Sequence, residues 1–301
     1  MRRSRMTGQL ILTCLVVAGP AAPSAQESIR LRYTPSAGER VQTVSWFEVS
    51  SRVTESGGTR DVFWIESAGL RGLSHRVIEA QGQQRVLEVV WDSMRVRTRP
   101  QDGAWTVTVD TMGPRTLARL TLDDRMRVTA AQLRAEGVAG VARLATLRTF
   151  ASGLEFALPE DRVVVGQQWM SDVVLPFDLP TGLEQDPQIG PWLPQIVDIL
   201  ARSTFTLDSL VDRGADTLAF LSVHGSFLPM AIASVESLAA GRARVNGAFG
   251  GQLIWSTGWS AFVSGALRTR LRMATFVGTP RDEVQQLSLH VDGTRRFQVR
   301  R

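Results

Sequence analysis

Three histidines, His75, His224 and His290, and one cysteine, Cys14, are all the imidazole and thiol groups in the 301-residue chain. No two histidines stand four apart, the spacing that sets two imidazoles on one helix face for a zinc ion. All 34 basic residues are arginine. The absence of lysine removes Schiff-base chemistry, the phosphate-loop lysine and Ser-Lys hydrolysis, and no Gly-x-Ser-x-Gly elbow occurs. Asp212 and Asp216 flank a turn but lack the dense carboxylate spacing of a calcium loop. Catalysis by two carboxylates about 5 to 10 Å apart needs no particular spacing along strands and stays open.

Two patterns are candidates for binding. Arginines recur at every second position in Arg95, Arg97 and Arg99 and again in Arg268, Arg270 and Arg272, so each set forms a cationic row on one strand face. Such a row grips an anionic headgroup or polymer, or serves as a solvated face neutralised by acids on nearby strands, such as Glu88 and Asp92. Eight tryptophans, at 46, 64, 91, 105, 169, 192, 255 and 259, stand against one tyrosine. They either line a pocket for an apolar ligand or sugar, or anchor a core that has no disulfides. His75 shares a strand face with Leu73 and Val77, while His224 lies with Ser222 and Ser226, and His290 with Ser288 and Asp292.

The elements that must position these groups are mostly strands. Alternation runs through Ile29 to Tyr33, Arg40 to Val53 and Arg85 to Arg99. Hairpin turns are expected at Ser56-Gly57-Gly58-Thr59 and at Gln101-Asp102-Gly103. From 114 to 150 the spacing of Arg115 with Arg119, and of Val138, Val141, Ala145 and Leu147, predicts a helical connector. Five of the 13 prolines fall between Pro176 and Pro194, which excludes a central strand there. Pro191 and Pro194 then open a short apolar helix ending at Leu200, either a buried connection or a lid. Strands resume at Arg202, with turns at Val211 to Asp216 and at Ser256-Thr257-Gly258. The segment after that second turn sets Trp259, Ala261, Val263, Leu267, Leu271 and Met273 on one face, opposite Ser260, Ser264 and the Arg268 row.

The first 25 residues have the form of a secretory signal: Arg2, Arg3 and Arg5 precede an apolar stretch from Leu10 to Val17, followed by small residues and prolines. Its removal takes three arginines and no acid, which lowers the formal charge from +5 to +2. The pI near 10.8 then reflects the lack of groups that titrate between neutrality and arginine, not a nucleic-acid surface. Cys14 lies inside the leader, and Ile11-Leu12-Thr13 before it argues against a lipid-modified cysteine. No later stretch has the roughly 18 apolar residues of a membrane helix. The charged polar faces and the Arg300-Arg301 ending argue against an outer-membrane barrel.

Leu31-Arg32-Tyr33 with Gly38-Glu39-Arg40, the run Leu158-Pro159-Glu160-Asp161-Arg162-Val163-Val164-Val165-Gly166-Gln167-Gln168-Trp169, and the Gly-rich hairpin from Gly247 to Gly258 together resemble a bacterial family of exported, β-rich proteins, some of them lipoproteins. The best-defined motif matches at Leu158, Pro159, Val163, Val165, Gly166 and Trp169. The resemblance implies an exported β-rich fold and carries over no active site. On the residues alone, Pro159 sets a bend, the valines alternate in a strand, Gly166 permits a turn and Trp169 anchors the next strand.

The expected fold is mainly β (α+β): an antiparallel, strongly curved sheet or two packed β halves, with the helical connector and the short apolar helix. The divisions are 1–25 as signal, 26–112 as an N-terminal β half, 113–152 as the connector and 153–301 as a C-terminal β half, which together make one compact domain or two. The expected role is a periplasmic or extracellular, non-catalytic binding or carrier protein, without cofactor or metal, for an apolar or amphiphilic ligand or an envelope component. The candidate binding residues are Trp46, Trp64, Trp91, Trp105, Trp259, Arg268, Arg270 and Arg272. An envelope structural or interaction protein and a carboxylate-dependent hydrolase are the alternatives.

Overall fold

The computed structural model describes residues 27–54, 61–109, 113–133, 157–178, 196–227, 244–278 and 284–301. The expected signal with Cys14, the turn at 56–59, residues 134–152 of the expected connector and Trp192 lie outside the described residues. The strands run in chain order: β1 (Ser28–Ile29), β2 (Arg40–Thr54), β3 (Asp61–Gln81), β4 (Gln84–Pro100), β5 (Thr106–Val109), β6 (Arg115–Leu122), β7 (Val128–Leu133), β8 (Val163–Val164), β9 (Gln168–Asp178), β10 (Ile196–Asp212), β11 (Thr217–Phe227), β12 (Arg244–Ser256), β13 (Ala261–Gly278) and β14 (Val284–Arg300). β1 pairs with β8, and the rest form one antiparallel sheet in the order β7-β6-β4-β3-β2-β14-β13-β12-β11-β10-β9, with β5 on the free stretch of β4 beyond β6. Most neighbours are hairpin partners, as short connections favour. β4 pairs with β6, with β5 between them in the chain, and the long-range exception is central: β2 and β14 pair from Gln42↔Arg300 to Thr54↔Ser288.

The two expected halves therefore join edge to edge in one sheet, and no strongly curved sheet is seen. No pairing joins β7 to β9 among the described residues.

Two helix expectations are corrected. Residues 115–122 and 128–133 of the connector form β6 and β7. Thr116, Thr121 and the alternating Ala118, Leu120 and Leu122 suit a strand, and pairing with β4 outweighs the four-residue spacing of Arg115 and Arg119. Ile196 to Leu200 belong to β10, where a β-branched run pairs with β9 instead of closing a helix. Pro176 lies within β9, and β9 is the last strand of the path, so a missing backbone donor is tolerated there.

One face of the sheet is packed. Its largest cluster gathers Val77, Leu87 and Leu122 from one flank and Phe205, Leu207, Leu221, Leu253 and Trp255 from the other around Ile29, Leu31, Tyr33, Leu158 and Val163. Backbone bonds stitch that insert in place: the Tyr33 amide donates to the Asp124 carbonyl at 2.8 Å, and the Gly166 amide to the Leu207 carbonyl at 2.7 Å. Gly166 has φ +87°, the turn conformation its position in the motif predicts. Trp169 stacks on Phe205 with ring centroids 5.3 Å apart.

Bulges decide which side chains reach this face. An extra residue, Asp92, separates the pairs Gly72↔Ser93 and Leu73↔Trp91. Leu87, Val89 and Trp91 therefore face the core, whereas Arg95, Arg97 and Arg99, of the same odd parity, face the other side. An extra Val263 likewise puts Phe262, not Val263, against Trp255 in a T-shaped pair 5.0 Å apart. The apolar stripe expected to contain Val263 is corrected to this extent.

Candidate functional site

The unpacked face of the sheet carries the polar chemistry. Because residues paired across antiparallel strands share a face, its side chains fall into rows that cross the strands. One row runs Trp64, Arg52, His290, Arg272 and Asn246 over β3, β2, β14, β13 and β12. The next runs Arg99, Glu66, Ser50, Asp292, Arg270 and Ala248 from β4 to β12. Both predicted arginine rows thus lie on this one face, on β4 and β13, with three strands between them.

The second row neutralises itself. Arg99 pairs with Glu66 at 2.5 Å, and Asp292 accepts from Arg268 and Arg270 at 3.3 Å each. These, not Glu88 and Asp92, are the acids that serve the arginine rows: Asp92 accepts from Ser74 and Gln42, and Glu88 stands across from Arg76 and Arg119. The first row contains no acid. Arg52 and Arg272 make no ion pair among the described residues, and Arg97 makes none either. Aromatic rings orient two of these cations: the Arg52 guanidinium stands 5.8 Å from the Trp64 ring centre, and that of Arg97 4.7 Å from Trp105. The Trp64 indole donates to Ser50 Oγ at 3.1 Å, which fixes its ring.

Two hollows open on this face. The first, about 820 Å³, has small residues such as Ser50, Ala68 and Gly293 between the long side chains of Arg52, Arg97, Trp105, Arg270 and Arg272. His290, Glu48, Glu66 and Asp292 also reach it. The second, about 860 Å³, is bounded by Trp46, Phe220, Ile254, Ala266 and Arg296, with Ser209, Ser264 and Gly265 among them. Glu48 and Thr294 line both hollows, so the two adjoin.

The eight predicted residues divide accordingly. Trp105, Arg270 and Arg272 line the first hollow and Trp46 the second, while Trp64 and Arg268 stand on the same face beside them. Trp91 is buried on the packed face with Leu73 and Val89. Trp259 sits in the β12–β13 turn beneath Arg301, 4.9 Å from its ring centre. Arg97, from the first predicted row, lines the first hollow as well, while Arg52, His290, Phe220 and Ile254 are lining residues that sequence reasoning missed. Alternation places each on a face, but which strands become neighbours depends on the β2–β14 pairing.

Not every arginine stands on the polar face. Arg71 lies over the Phe47 and Trp91 rings on the packed side, at 5.8 and 5.5 Å. Arg295 donates to Ser45 Oγ there at 3.3 Å, and burial, with Arg71 nearby, lowers its pKa from the ordinary arginine value to about 10. His75 also faces this side, and burial lowers its pKa from 6.5 to about 4. No group of three or more His, Cys, Asp or Glu side chains among the described residues is placed to hold a metal ion, and no helix among them is long and apolar enough to cross a membrane.

No protein-family model matches the chain, and no curated protein matches it. Among solved structures it is similar to lipovitellin, in a study of that protein's lipid–protein interactions, at 10% identity and a TM-score of 0.44, covering 88% of this chain and 25% of that one. The chain thus spans a quarter of the lipovitellin length. It is also similar to the outer membrane protein OprG from Pseudomonas aeruginosa, at 10% identity and a TM-score of 0.23 over 87% of this chain and 94% of that one. For an outer membrane channel from Pseudomonas putida F1 the values are 9%, 0.26, 89% and 98%. Likeness at these scores carries no argument about function.

Proposed function

We propose that the chain is an exported binding or carrier-type protein that holds an amphiphilic ligand along the polar face of its sheet. The observation that carries this reading is the adjoining of two unlike hollows, which share Glu48 and Thr294. The apolar part of the ligand lies among Trp46, Phe220, Ile254 and Ala266, where each methylene removed from water contributes about 0.8 kcal/mol. Its polar end lies among Arg52, Arg97, Arg270 and Arg272, where a charged hydrogen bond is stronger than a neutral one. Export is supported by the arginines and apolar stretch of residues 1–25, and by the resemblance to an exported family. Native mass spectrometry of protein recovered from its own cell envelope tests the reading. A lipid-like adduct, diminished in a Trp46→Ala, Phe220→Ser variant, is expected; a bare chain that also ignores added dodecyl maltoside would refute it.

A separate observation favours a second reading, an envelope interaction protein. Trp105, Val107 and Val109 are 39%, 52% and 53% exposed within five residues, beside Arg95 and Arg97. Capture of a specific envelope protein by wild type, and not by Val107→Asp, would favour it over ligand carriage.

A further inference from the structure

We propose that Arg52 and Arg272, with His290 between them, form a site for a phosphoryl-class oxyanion. The proposal rests on the ligand reading above and names the charged end of that ligand. Arg52, His290 and Arg272 are in register on three consecutive strands, β2, β14 and β13. At about 4.8 Å per strand the two arginine backbones stand roughly 10 Å apart, and both side chains rise from the same face into the first hollow. Like charges so placed on a sheet disfavour one another, and the row holds no carboxylate to offset them.

Apart from Arg95 and Arg97 on β4, the arginines flanking this row are answered. Arg99 has Glu66, Arg268 and Arg270 share Asp292, and Arg202 has Asp172 further along the same face. Charge is therefore left uncompensated at one end of the hollow, where the rings of Trp64 and Trp105 stand beside Arg52 and Arg97. A carboxylate offers two oxygens and a single negative charge to set against two arginines. A phosphate monoester offers three oxygens and close to two charges, which lets it accept from Arg52 and Arg272 together while His290 lies beneath. The same chemistry belongs to a lipid phosphate headgroup and to free phosphate.

Calorimetric titration of the full-length chain with dodecyl phosphate, dodecanoate and dodecyl maltoside, each below its micelle concentration, separates the cases, with inorganic phosphate as a fourth ligand. Dodecyl phosphate is expected to bind at least ~10-fold more tightly than dodecyl maltoside, as two charge-assisted contacts imply. Arg52→Gln and Arg272→Gln should each remove most of that difference, weakening dodecyl phosphate far more than dodecyl maltoside; Arg202→Gln, an arginine outside the hollow, should leave both unchanged. Arg52→Lys, which keeps charge without the fork, should fall between. Equal binding of dodecyl phosphate and dodecyl maltoside overturns the oxyanion site and leaves the amphiphile reading standing. Dodecanoate as tight as dodecyl phosphate overturns the phosphoryl class. Inorganic phosphate bound through Arg52 and Arg272 by a chain that takes up none of the three amphiphiles supports the site and overturns the carrier reading. If a glutamine variant does not fold, the ranking of the four ligands on the wild-type chain still decides.

Discussion

Phe249 and Gly225 face each other across β12 and β11, and the Phe249 ring occupies the space that a side chain on Gly225 would need. The arrangement recurs: Phe47 lies over Gly69, and Phe297 over Gly265, each ring covering the glycine paired with it on the next strand. A flat ring over bare backbone gives the packed face a layer one ring thick. Gly225→Ala should therefore destabilise by about 1–3 kcal/mol through overpacking, and Phe249→Ala by about 3–5 kcal/mol through the cavity it leaves. In the double variant the new methyl enters that cavity, so urea unfolding should show a loss at least ~1 kcal/mol smaller than the sum. Strict additivity would show that the two residues do not compete for one space.

His75 gives the fold a pH response of defined sign. Its folded pKa, near 4, lies below the ordinary 6.5 because burial disfavours the charged ring. The unfolded chain then binds the extra proton first, so the stabilisation is complete above about pH 6.5 and is lost as the pH falls toward 4, by at most about 3 kcal/mol. Denaturant unfolding of wild type and His75→Leu at pH 7 and pH 4.5 should show the wild type losing more on acidification. Parallel losses in the two proteins would exclude the histidine as the cause.

Asp216 fastens two hairpin turns to each other. Its carboxylate accepts from the Gly258 amide at 2.7 Å, from Ser256 Oγ at 2.7 Å and from Thr257 Oγ1 at 3.2 Å. Burial raises its pKa, and these bonds more than offset that, leaving it below the ordinary value. Asp216→Ala should lower stability by about 2 kcal/mol at neutral pH. With a lowered folded pKa, the contribution is present above the unfolded pKa of 3.8 and fades as the pH falls through the folded one. Thermal melts of both proteins at pH 7 and pH 3 should show the gap narrowing; a gap that widens in acid contradicts the assignment.

Asp292 holds two cations, Arg268 and Arg270, at the edge of the oxyanion row. Since all three side chains are about half exposed, Asp292→Asn should change stability by less than ~1 kcal/mol. Removing the negative charge should tighten dodecyl phosphate binding roughly fivefold, the worth of about 1 kcal/mol for a charge at short range in water. The gain should shrink as salt is added. Unchanged or weaker binding would mean that the headgroup does not approach Asp292.

The strand character of β2, β4 and β13 is legible in the sequence because their alternation is long and their turns carry glycine or aspartate. The turns after Pro100, Asp212 and Ser256 stand where glycine-bearing runs predict them. The alternation misleads at single residues, since Asp92 and Val263 each shift the parity of the later positions in their strands and nothing local marks them as bulges. Residues 115–133 mislead for another reason: a short segment with both spacings takes the form its neighbour β4 imposes. At the candidate site, the arginine periodicity is visible in the chain, but its meaning is not. Arg52, His290 and Arg272 lie far apart in sequence, and only the register of β14 between β2 and β13 sets them side by side.

That register also governs the order in which the molecule can assemble. β14, the last described strand, occupies the middle of the sheet, so β2 and β13 each keep an open edge until it arrives. Closing the contact spans nearly the whole chain, the kind of non-local pairing that makes folding slow. A chain delivered from its N-terminus would wait with two long strand edges exposed, which are templates for wrong partners. Slow, late completion is thus a consequence of where β14 lies, and truncation before residue 284 would leave two unjoined half-sheets in place of a slightly shorter protein.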